Sequence, residues 1–163
     1  MQAAAYSARP LPVVPDMQTP AAFARAGFLA QLQAADPAVS TLAGLELLQT
    51  AGGGHAPTAA GNALLALLQA RQRLDATSVD VGLVADELRR YQKFAAPGRP
   101  SLQIVQLRRQ QSTVQQAQRV ARQEFIRCAD AFARAAALTV PPKLGVAATV
   151  ERWLAANLPA DRD

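Results

Sequence analysis

Cysteine, histidine and aromatic residues are nearly missing from this 163-residue chain. The single cysteine, Cys128, allows no disulfide within the chain, which excludes a disulfide-knit fold. With a single histidine, His55, a Cys/His zinc site cannot be assembled in one chain. A cysteine nucleophile could draw only on the Cys128–His55 pair, and no Gly-x-Ser-x-Gly elbow offers a serine instead. Gly52-Gly53-Gly54 lacks the Gly-Lys-Ser/Thr that completes a phosphate loop. Asp86 and Glu87 are adjacent on a helical stretch and point apart, as a solvated face does. No catalytic, cofactor-binding or metal-ligating residue is therefore expected, and no enzyme. Long apolar runs are also lacking. The longest, Ala63 to Leu68, falls far short of the roughly 20 residues a membrane span needs. No positive cluster precedes an apolar stretch near the N-terminus, so no signal peptide is read. The expectation is no membrane insertion, in a protein that is cytoplasmic or built into an assembly without a cleaved signal.

Alanine (37 residues) and glutamine (16) dominate instead. Both favour helices, whereas strands favour the β-branched and aromatic residues this chain uses sparingly. The expected fold is all-α: an irregular bundle of about six helices, with one long helix over 101–138 and an extended N-terminal arm. Pro10, Pro12 and Pro15 set off an arm over 1–18. A helical domain follows over 19–158, and 159–163 is a frayed tail. Thr19-Pro20 and Asp36-Pro37 are cap-plus-proline starts for helices over 20–35 and 37–51, the second ended by the glycine run. Thr58 caps a helix over 59–74. Asp75 to Ser78 reads as a break before a further helix over 79–95. Pro97-Gly98-Arg99-Pro100 stops the chain. Ser101 opens the long helix, which holds neither proline nor glycine, and a last helix runs over 145–157 with Trp153 on its apolar side. No strand pair is read.

Within the long helix, Val114, Ala117, Ala121, Phe125, Cys128 and Phe132 recur at three- and four-residue steps and form a seam for other helices, in this chain or another. Cys128 reads as a small core residue on that seam. Its middle is polar, from Arg108 to Gln116. The chain has a net charge of +5, and residues 98–138 carry an excess of that size, with seven arginines against two acids. Arg108, Arg109, Arg119 and Arg122 are the contacts expected for an acidic protein or for nucleic acid, since guanidinium groups fork onto carboxylates and phosphates alike.

The leading expectation is a structural or interaction subunit of a larger bacterial or phage assembly, of virion or secretion type. It would associate through the long helix and the arm, as a homo-oligomer or with other subunits. The alternatives are a nucleic-acid-binding protein using the arginine/glutamine helix, and an adaptor whose groove takes an amphipathic helix.

Overall fold

The computed structural model describes residues 23–95 and 101–158. The arm over 1–18, the helix start at Thr19-Pro20, the stop at Pro97-Gly98-Arg99-Pro100 and the tail over 159–163 lie outside the described residues. Four α-helices and two small antiparallel sheets make up the described chain: α1 (Ala26–Gln33), β1 (Thr41–Leu42), β2 (Leu45–Glu46), β3 (Leu48–Ala51), β4 (Gly54–Pro57), α2 (Ala59–Lys93), α3 (Leu102–Ala135) and α4 (Val146–Asn157). A 3₁₀ turn, Pro37–Val39, links α1 to β1 and is capped by the Asp36 carboxylate, which accepts from the Ala38 amide.

The all-α expectation is corrected at two places. The first is the stretch read as a helix over 37–51. It forms two hairpins, with Leu42 paired to Leu45, and Leu48 to Pro57 through Ala51 to Gly54. Both hairpins turn on two residues with positive φ, Ala43-Gly44 and Gly52-Gly53. That twist suits tight antiparallel turns and is barred inside a helix. Gly52-Gly53-Gly54 is thus a hairpin turn and the first residue of β4, not a helix end.

The second correction is the break at Asp75–Ser78, which does not exist. α2 runs through it for 35 residues. The side chains read as capping groups bond backwards instead: Thr77 Oγ1 donates to the Arg73 and Leu74 carbonyls, and Ser78 Oγ to the Leu74 carbonyl at 2.7 Å. With no proline there to block it, the helix continues. There are consequently two long helices rather than one, each about 50 Å at 1.5 Å per residue.

α2 and α3 pair antiparallel along their length. Arg73 meets Glu124 at 2.7 Å, Gln118 Nε2 donates to Ser78 Oγ at 3.1 Å, and Leu88 packs with Ile104 and Leu107. The core is correspondingly divided. At one end Leu64, Leu67 and Leu68 of α2 and Phe125, Ala129 and Phe132 of α3 join Leu29, Leu32, Leu47, Val150 and Leu154 in one cluster. Each such leucine, fully buried, contributes roughly 1.5–3 kcal/mol. At the other end, only Leu88, Ile104 and Leu107 form a cluster. Between Leu107 and Ala121, no residue of α3 is buried. The molecule is therefore a packed base, built of α1, the hairpins, α4 and the adjoining halves of α2 and α3, with a thin two-helix arm extending from it.

Thr58 fastens the hairpins to the start of α2. Its Oγ1 accepts from the Gly61 amide and caps α2. It also donates to the Glu46 carbonyl at 2.6 Å, while the Thr58 amide donates to the Leu47 carbonyl.

Candidate functional site

Large apolar side chains that stay exposed sit on the arm helices. They are Val79, Leu83, Tyr91, Phe94, Leu102, Val120 and Ile126, with Phe94 at 83% and Leu102 at 75% exposure. Among the described residues, none lies in α1, the hairpins or α4. The spacing explains why. On α2, Val84 and Leu88 face inward and are buried. Val79, Leu83 and Glu87, four residues apart, fall on the opposite side. On α3, Ala121 and Phe125 face inward. Leu102, Arg109, Val120 and Arg127 recur along the outer side, all exposed.

The charges divide in the same way. Five ion pairs consume most of the acids among the described residues: Arg71 with Asp75 and with Glu151, Arg73 with Glu124, Arg89 with Asp86, and Arg134 with Asp130. Arg108, Arg109, Arg119, Arg122 and Arg127 of α3 make no ion pair among the described residues. On α2 neither Asp80 nor Glu87 does.

The residues singled out from sequence are distributed over these surfaces. Arg108 and Arg109 lie on the arm, exposed. Arg119 and Arg122 line a cleft beside α4, so the four arginines are not one cluster. Ala121, Phe125 and Phe132 are buried, and Val114 and Cys128 half-buried, Cys128 against the large core cluster. Phe132 meets the edge of Trp153 with ring centroids 5.0 Å apart. Burial pushes the Cys128 thiol above its ordinary pKa, and Glu124 pushes the same way, against a smaller downward pull from Arg127 and Arg73. That is the opposite of an activated thiol. His55 is exposed on β4, opposite Thr50. Among the described residues no group of three His, Cys, Asp or Glu side chains could hold a metal ion. No helix among them is long and apolar enough to cross a membrane.

Sequence reasoning passed over the outward stripe of α2. Val79, Leu83 and Glu87 all fall within the helix read over 79–95, but only the packing of Leu88 on Ile104 and Leu107 shows that their side faces outward.

No family model, curated protein or solved structure matches this chain.

Proposed function

We propose that the protein is a non-enzymatic structural subunit that associates side by side with further copies of itself through the two-helix arm. One observation carries this reading: the two outward faces of the arm are complementary. The α2 face presents Val79 and Leu83 flanked by Asp80 and Glu87, acids without an ion pair among the described residues. The α3 face presents Val120 flanked by Arg109 and Arg127, arginines equally without one. Apolar contact supplies affinity when the two faces meet, and the opposite signs of their charges favour unlike faces over like ones. The faces lie on opposite sides of the hairpin. One copy's α2 therefore meets the next copy's α3, a head-to-tail contact that builds rows or rings rather than closed pairs. Light scattering coupled to size-exclusion chromatography tests it: the expected mass is a multiple of the 17.2 kDa chain.

A second reading rests on the five arginines of α3 that lack ion pairs, which would also suit a nucleic-acid backbone. Replacing Arg108, Arg109, Arg119 and Arg122 by Gln would then abolish binding and its salt dependence. An absorbance ratio free of nucleic acid in the purified protein argues for the first reading.

A further inference from the structure

Where α4 meets α2 and α3, the base carries a cleft of about 510 Å³. Its charge is divided between two sides. On one, Arg71 of α2 is held by Asp75 at 3.0 Å and by Glu151 of α4 at 2.6 Å, a trio with one negative charge in excess. On the other, Arg119 and Arg122 project from neighbouring turns of α3, and neither has an ion pair among the described residues. One turn beyond Arg122 stands Ile126, 46% exposed, and Leu74 and Ala147 continue an apolar strip inside the cleft.

We infer that this cleft binds an acidic helical segment of a partner protein. Two guanidinium groups one turn apart match two carboxylates one turn apart on a facing helix, since side chains at that spacing stand about 5–6 Å apart. Arginine forks onto such carboxylates with two parallel hydrogen bonds. The pairing of Arg71 with Glu151 already shows a carboxylate on one helix satisfying an arginine on another at this site. The strip of Ile126, Leu74 and Ala147 takes an apolar side chain one turn further along the same segment. A nucleic acid fits less well. It carries charge along its whole length, so phosphates would be set against Asp75 and Glu151 as well as against the arginines.

This site goes beyond association through the arm, because Val79, Leu83, Arg109, Val120 and Arg127 do not line it. Either surface can fail without the other.

Fluorescence anisotropy with the full chain tests it. The probe is a labelled helix-forming peptide with two glutamates one turn apart and a leucine one turn further. The protein binds this peptide and does not bind the same peptide with glutamines. Replacing Arg119 and Arg122 together by Gln weakens binding by at least about tenfold. Replacing Arg108, which lies outside the cleft and outside the arm's contact face, by Gln leaves it unchanged. All three positions are exposed and none belongs to the arm's contact face, so helicity by circular dichroism and mass in solution match the parent chain in each variant. Reversing the pair to Glu transfers binding to the lysine version of the peptide, an effect that a merely structural role would not produce. The inference is overturned if the glutamate peptide fails to bind, if the Arg108 change weakens it equally, or if a short mixed-sequence duplex DNA displaces it from the cleft.

Discussion

Gly61, in the first turn of α2, lies directly against the carbonyl of Leu47, the residue between the two hairpins. A Cβ at position 61 would fall inside the contact distance of the Leu47 oxygen. That oxygen also accepts the Thr58 amide at 2.9 Å, so it cannot retreat without loosening the start of α2. Here glycine serves close approach rather than an unusual backbone angle. Gly61→Ala is expected to destabilise the fold by about 1–3 kcal/mol although alanine favours helices. A urea unfolding midpoint that rises instead would show that the hairpins do not press on α2.

Phe132 is fully buried at the centre of the base and stacks edge-on against Trp153. Phe132→Ala is expected to cost about 3–5 kcal/mol. Because Trp153 is the chain's one tryptophan, its fluorescence reports the change directly. An unaltered emission spectrum would mean that the two rings do not meet.

Arg71 joins α2 to α4 through Glu151 and lies over the Phe125 ring at 5.7 Å. Its side chain retains 30% exposure and that of Glu151 49%, so water screens the pair and its worth is small. Arg71→Ala is expected to cost about 1 kcal/mol, more than Arg73→Ala, whose single partner Glu124 sits across a more exposed contact. Equal losses in thermal unfolding would remove the aromatic contact from the account.

Cys128 titrates above its ordinary value, first because it is partly buried and then because Glu124 is near. The folded protein therefore holds the thiol proton more tightly than the unfolded chain does. The associated stability is complete below the unfolded pKa and falls as pH rises through the folded one. Reaction with a disulfide reagent at mildly alkaline pH is expected to be slower in the folded protein than in urea. Glu124→Gln should speed it in the folded state. A thiol more reactive folded than unfolded would contradict the geometry.

The helices with firm ends were legible in the sequence. Ser101 caps α3 through the Ile104 amide, and α4 begins one residue after its expected start. The hairpins were not, because Leu42, Leu45, Leu47 and Leu48 satisfy a helical spacing as well as a strand one. Only the positive φ of Ala43-Gly44 and Gly52-Gly53 decides between them. The single α2 was missed for a related reason. Asp75, Thr77 and Ser78 are capping residue types, but Asp75 is engaged by Arg71 and the two hydroxyls bond carbonyls of the preceding turn. The cleft needed the third dimension, since α2, α3 and α4 come together there from distant stretches of the chain.

The side-by-side contact makes its sharpest prediction for a mixture. Leu83→Asp spoils only the α2 face and Val120→Asp only the α3 face, and both positions are about half exposed, so the fold should survive either change. Each variant alone is expected to run as a 17.2 kDa monomer by light scattering, while the unaltered chain forms larger species. Mixed in equal amounts, the two variants retain one intact α2 face and one intact α3 face between them. They should form a complex of one copy of each and nothing larger. An unaltered chain that stays monomeric at every concentration, or variants that remain monomers when mixed, would contradict association through the arm.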